Sequence, residues 1–172
     1  MSDTEYTIGV PSNKASLSGS AKPDEPTLLN KLRERVSTKV SRPEVLVEVP
    51  ERPNVAIRVS PNITQNQMRA WRRNAGEDTK AGFDPTVFAC YVIGHTTTGI
   101  FVDGEEVFDD DGNSLTFASP IVKEMTDTVR PIPDTVRAFF GLDPHVEGAA
   151  LAIMEKAGYS DTVDAVDPTK TS

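Results

Sequence analysis

Leu28, Leu29, Leu32 and Val36 recur at helical spacing, with Lys31, Arg33, Glu34 and Arg35 between them. The pattern predicts a short amphipathic helix, either transient in a mobile arm or docked on a partner. The period then changes to two. Val45, Val47 and Val49 alternate with Leu46 and Glu48, and Val55, Ile57 and Val59 alternate with Ala56 and Arg58. Pro50-Glu51-Arg52-Pro53-Asn54 breaks the two runs, so they read as a β-hairpin with one valine-rich face inward. Ile100-Phe101-Val102 and Glu105-Glu106-Val107-Phe108, joined by Asp103-Gly104, read as a second hairpin. Asp-Gly suits a type I′ turn, whose two central residues both need positive φ.

Five helical runs fill the rest of the body. Thr64 and Gln67 have capping-box spacing, with Asn62 a competing cap. Met68, Trp71 and Ala75 follow at i, i+3 and i+7, and Gly76 ends the run. Asp84-Pro85 starts a second helix with Val87, Phe88, Tyr91 and Val92 as its apolar face and Gly94 as its stop. Ser119-Pro120 starts a third, with Ile121, Val122 and Met125 apolar, interrupted at Pro131 and Pro133. Asp134 starts a short fourth, ending at Phe139-Phe140-Gly141. Asp143-Pro144 starts a fifth, carrying Val146, Ala149, Ala150, Ile153 and Met154 and stopping at Gly158. Asp111-Gly112-Asn113 turns the chain before Leu115-Thr116-Phe117. The expected fold is α+β, a small antiparallel sheet of two hairpins packed with about five helices, with a helical C-terminal half.

Composition adds boundaries to this pattern. Residues 1–27 are rich in Ser, Thr, Gly, Pro and Lys and have almost no large apolar side chains, so they are expected to be disordered. Residues 160–172 are polar and expected to be loose. The domain expectation is therefore an arm over 1–43, a body over 44–159 and a tail over 160–172. Charge divides the chain at the same place. Met1 to Pro43 holds seven basic and five acidic residues, whereas Glu44 to Ser172 holds eleven basic and twenty-one acidic. The overall charge of −8 disfavours general nucleic-acid binding and favours basic or apolar protein partners. One cysteine, Cys90, excludes an internal disulfide. No signal-peptide pattern and no long apolar run is present, so a cytoplasmic location without membrane association is expected.

Candidate chemistry is sparse. The two histidines, His95 and His145, and Cys90 lack zinc-ligand spacing and any nucleophile motif. Asp109-Asp110-Asp111-Gly112-Asn113 resembles a calcium loop only superficially. Placing Gly112 at the sixth position puts Val107 and Ala118 where carboxylates are required. No phosphate-cradling glycine motif occurs. The chain is therefore expected to be non-enzymatic, with no cofactor, metal or catalytic residue. Six acidic residues between Asp103 and Asp111, and five basic against two acidic between Arg58 and Lys80, can pair within the fold or between copies. Arg69, Arg72 and Arg73 beside Trp71 suit single-stranded nucleic acid, or a core Trp under a solvated Arg face, which Met68 and Ala75 favour.

The order of several segments resembles a known family. They are Val49-Pro50-Glu51-Arg52-Pro53, Ser60-Pro61-Asn62-Ile63-Thr64 running into Met68-Arg69-Ala70-Trp71-Arg72-Arg73, and Phe88-Ala89-Cys90-Tyr91-Val92-Ile93-Gly94-His95. Asp103-Gly104-Glu105-Glu106-Val107, Leu115-Thr116-Phe117-Ala118-Ser119-Pro120 and Arg130-Pro131-Ile132-Pro133 follow. Ala138-Phe139-Phe140-Gly141-Leu142-Asp143-Pro144-His145-Val146-Glu147 and Ala157-Gly158-Tyr159 complete the series. From Val45 to about Thr162 the chain resembles the tail assembly chaperones of actinobacteriophages with long non-contractile tails.

The resemblance implies a protein that binds the helical tape-measure protein, keeps it in solution, and helps tail-tube subunits assemble around it. It implies action in the host cytoplasm and absence from the mature virion. It also implies a possible longer form of the chain made by ribosomal frameshifting, for which the polar end at Asp161 to Ser172 would suit the shorter form. Self-association is a further expectation. The resemblance carries over no residue-level site. The pattern itself offers Trp71, Arg69, Arg72, Phe101, Phe108, Phe139 and Phe140 as candidate protein-binding residues, each with burial in the chain's own core as the competing reading. Rival expectations are a structural virion component of connector or tail-terminator type, a small host-directed binding protein, and an enzyme.

Overall fold

Thr27 opens the first helix, α1 (Leu28–Ser37), by accepting a hydrogen bond on its hydroxyl from the Asn30 N–H at 3.1 Å. The apolar stripe that predicts α1 is therefore helical, and none of its residues is buried. The computed structural model describes residues 27–130, 132–161 and 163–169, and the chain divides into two units, Met1–Val40 and Ser41–Ser172. The disorder expected for residues 1–27 lies outside the described residues except at Thr27, which instead caps α1; Pro131 lies outside them too.

The second unit is built on one sheet. Strands β1 (Val45–Glu48) and β2 (Val55–Val59) pair antiparallel, with Val47 opposite Ile57. Strands β3 (Thr97–Val102) and β4 (Glu105–Val107) form the second hairpin, with Ile100 opposite Val107. Asp103 and Gly104 turn it with φ of 52° and 82°, the left-handed pair that a type I′ turn requires. β2 also pairs antiparallel with β3, so the two hairpins merge into one sheet of order β1-β2-β3-β4. Alternation puts Val45, Val47, Ile57, Val59, Ile100 and Val107 on the inner face, where Ile57 and Val59 are wholly buried. Leu46, Ala56, Arg58, Phe101 and Glu106 share the opposite face.

Helices α2 (Gln65–Asn74) and α3 (Pro85–Thr96) lie in the chain between β2 and β3. Thr64 caps α2 with a complete capping box, accepting from the Gln67 N–H at 3.2 Å while its own N–H donates to Gln67 Oε1 at 2.9 Å. Asn62, the competing cap, is used elsewhere. Its side chain accepts from the Arg42 N–H at 2.7 Å and donates to the Arg42 carbonyl at 3.0 Å. Asp84 caps α3, accepting from the N–H groups of Thr86 and Val87.

The expected stop of α3 at Gly94 is corrected: the helix continues to Thr96. Gly94 is buried against α5, where an added Cβ would overlap the side chain of Ile132. It serves close packing, not termination. The Thr96 and Thr97 hydroxyls donate back to the carbonyls of Val92 and Ile93, both at 2.7 Å, so these buried polar groups are satisfied. The buried face of α3 also differs from the expected one. Val92 is fully buried but Val87, Phe88 and Tyr91 are only half-buried, whereas Ala89, Cys90 and Ile93 are fully buried. α3 packs against α2, α5 and α6, so a single-stripe pattern does not describe it.

The C-terminal half is helical, as expected. In α4 (Pro120–Met125) only Val122 of the three expected apolar residues is buried. The Ser119 hydroxyl accepts from the Thr116 N–H at 2.9 Å instead of capping α4. α5 (Ile132–Phe140) begins before the expected Asp134, because a proline in the first turn removes an N–H that has no helical partner anyway. In α6 (Asp143–Lys156) Asp143 is the first helical residue and not the cap. Its carboxylate takes both arms of the Arg137 guanidinium, at 3.1 and 2.7 Å. The core gathers Ile57, Ile93, Phe117, Val136, Phe140 and Ile153 between sheet and helices. The architecture is α+β. Among the described residues no helix is long and apolar enough to cross a membrane.

Candidate protein-binding surfaces

The seven residues singled out by sequence fall into different places. Trp71 and Phe140 belong to the core, at 4% and 0% exposure. The Trp71 ring stacks on His95, with centroids 5.5 Å apart and planes within 8°. His95 stacks in turn on Tyr91 at 6.0 Å. The Trp71 ring is thus already engaged within the fold. Phe139 is half-buried and meets Phe117 edge-on at 5.1 Å. The carbonyls of Ala138 and Phe139 accept from the Arg52 guanidinium at 3.0 and 2.9 Å. The β1–β2 turn thereby supplies a cation to the C-terminal end of α5, where the helix dipole favours one.

Phe101 and Phe108 lie along the second hairpin. Phe101 is half-buried beneath Arg58, whose guanidinium carbon is 5.5 Å from the ring centre. Phe108 is 53% exposed. Arg58 also grips Glu106 with two hydrogen bonds, at 2.8 and 3.1 Å, and donates to the Thr98 hydroxyl and carbonyl. Hydrogen bonding from Arg58 holds the Glu106 carboxyl below its usual range. Gly99 makes room for this arrangement, since a Cβ there would come within 2.7 Å of Arg58 Nη2. A basic residue of the Arg58–Lys80 stretch and an acidic one of the second hairpin therefore pair within the fold.

Arg69 and Arg72 are exposed on α2. Arg69 donates to Asn66 Oδ1 at 3.3 Å, and Arg72 to Glu77 at 3.2 Å. Arg72 reaches a feature that the sequence reading missed, an open groove of about 850 Å³ between the start of α3 and one side of α6. Its walls are apolar: Phe83, Pro85 and Phe88 on one side, Leu151, Ala152 and Met154 on the other. Tyr159 also lines the groove, its hydroxyl donating to the Ile63 carbonyl at 2.9 Å. Leu151 is 70% exposed and Phe83 is 43% exposed.

Charged groups rim this groove. Arg72 lies over the Phe88 ring at 6.0 Å, and Glu147 accepts from the Thr86 hydroxyl at 2.6 Å. Glu155 stands two turns further along α6. Gly148 lines the groove with open space where a Cβ would be, so the wall is recessed there. One sequence signal could have found the groove. Leu151 lies off the face formed by Val146, Ala149, Ala150 and Ile153, flanked by Gly148 and Ala152, and so has no place in the core stripe.

Burial pushes the Cys90 thiol up to about 12, far from thiolate at neutral pH. His95 remains partly open to solvent, and the partial desolvation it does suffer lowers its pKa. Among the described residues no cluster of three or more His, Cys, Asp or Glu is placed to hold a metal ion. Comparison of the chain with protein-family models, curated proteins and solved structures finds no match.

Proposed function

We propose that this chain is a non-enzymatic phage tail assembly chaperone that binds the tape-measure protein through the α3–α6 groove. Two supports bear on the reading. The ordered segments from Val49 to Tyr159 resemble that family. The observation that carries the proposal is the groove itself, an apolar trough of about 850 Å³ between α3 and α6.

An amphipathic helix lays its apolar stripe into such a groove and is read through anchors at i, i+3, i+4 and i+7. A tape-measure protein before assembly exposes long stripes of this kind, which aggregate unless covered. The body surrounding the groove is strongly acidic, with twenty-one acidic against eleven basic residues from Glu44 onward. Many copies on one client would repel one another's neighbours and keep the complex in solution. The place of action is the host cytoplasm, and the tail-tube protein is the second partner, met when the client is handed over.

Affinity capture from phage-producing cells, with mass spectrometry of the captured material and of purified particles, tests this. The expected result is capture of a very long helical protein, with this chain absent from particles. Stoichiometric presence in particles would instead assign it to the virion as a connector or terminator component.

A further inference from the structure

Arg72, Glu147 and Glu155 are the charged residues that line the α3–α6 groove. Arg72 is engaged within the fold, by Glu77 at 3.2 Å and by the face of Phe88. The two carboxylates are not: among the described residues neither Glu147 nor Glu155 has an ion-pair partner. Glu147 is half-buried and takes one hydrogen bond, from the Thr86 hydroxyl at 2.6 Å, and Glu155 is exposed.

Their placement on α6 is regular. Glu147, Leu151 and Glu155 follow at four-residue spacing, which puts them in one row with a carboxylate at either end of the 70%-exposed Leu151. Gly148 and Ala152 form the next row, so no bulky side chain stands beside Leu151 to hold a second helix away. A helix lying in this trough draws water from both carboxylates. Without a cation to meet them that desolvation is uncompensated, and an acidic flank adds repulsion.

We infer that the groove selects an amphipathic helix carrying Lys or Arg along one flank of its apolar stripe, seven or eight residues apart. Glu147 and Glu155 are eight residues apart, about 12 Å along the axis, and one face of a partner helix recurs after seven or eight residues. The rest of the body acts in the same sense. From Glu44 onward twenty-one acidic residues face eleven basic ones, so a cationic helix is also drawn in from a distance. The inference rests on the groove being the client site, as proposed above, and narrows the client. Segments of a tape-measure protein with that basic flank would be bound, and acidic segments of equal apolarity passed over.

The probes are two fluorescent synthetic peptides of about five helical turns. They share a leucine stripe on an otherwise neutral helix and differ only in Lys or Glu at the two flank positions. Anisotropy titrations with the full chain should show the Lys peptide binding about tenfold more tightly, two rim pairs each contributing severalfold. Added salt should narrow the gap. The double variant Glu147→Gln/Glu155→Gln keeps an acceptor for Thr86 and should bind the two peptides alike. Gly148→Trp, which plugs the groove from a position with open space around it, should bind neither. Leu151→Gln, at a side chain already in solvent, takes its place if its melting curve shows misfolding. Equal affinity of the two peptides for wild type, or a preference that survives both Gln replacements, would overturn the inference and leave the groove standing. Failure of both peptides to bind, or binding that the plugged groove leaves unchanged, would overturn the groove reading and the inference with it.

Discussion

Phe139 and Phe140 illustrate how little adjacency says about role. Neighbours on a helix point about 100° apart, and here Phe140 is in the core while Phe139 rests on Phe117 at its margin. Truncating Phe140 to Ala should therefore cost about 3–5 kcal/mol, the range for a buried aromatic ring. Phe108→Ser should cost less than about 1 kcal/mol, because about half of the residue is already in solvent. Urea denaturation of both variants checks the contrast. Trp71 was legible as a core residue from Met68 and Ala75 at helical spacing. Its stack with His95 was not, because the two come from different helices. That stack has a pH consequence. Partial desolvation lowers the His95 pKa below its ordinary 6.5, so the unfolded chain binds more protons than the folded one between the two values. His95 should thus cost stability as pH falls through 6.5 toward its folded value, with no further cost below it. Thermal melts of wild type and His95→Gln at neutral and mildly acidic pH should show a smaller acid-side drop in the variant.

At the scale of elements, local chemistry was readable wherever one residue decides a boundary. The Thr64 capping box, the Asp84-Pro85 start and the Asp103-Gly104 turn occur where their side chains and backbone preferences require. Boundaries failed where packing decides. Gly94 has the composition of a helix stop, yet it lies inside the last turn of α3, where Ile132 of α5 occupies the space of its missing Cβ. Asp143 has the composition of a cap, yet Arg137 claims its carboxylate. The two helical glycines should therefore respond oppositely to alanine. Gly94→Ala should destabilise by about 1–3 kcal/mol through overpacking. Gly148→Ala, facing open space, should stabilise by up to about 1 kcal/mol through helix propensity. Equilibrium unfolding of the pair measures both signs at once.

For the whole molecule, the pattern specified two hairpins but not their union. The β2–β3 pairing joins residues some forty positions apart, across α2 and α3. Nothing in a period-two run encodes so distant a partner. Apart from Leu151 lying off the core face of α6, the groove was illegible for a related reason. Phe83, Phe88, Leu151 and Tyr159 come from separate parts of the chain, and only the packing of α3 on α6 brings them to one trough. Charge, by contrast, was readable from the start, and an acidic body around an apolar trough suits a protein that holds sticky helices in solution. The most direct test of that account is co-expression of the tape-measure protein with wild type, Gly148→Trp or Phe108→Ser, followed by quantitative co-purification. Wild type and Phe108→Ser should keep the tape-measure protein in the supernatant and carry it through purification. Gly148→Trp should retain the fold and lose at least about tenfold of the captured client, the order of effect expected when a central helix-binding pocket is filled. Undiminished capture by Gly148→Trp would contradict the groove as the client site, and no capture by the wild type would contradict the chaperone reading itself.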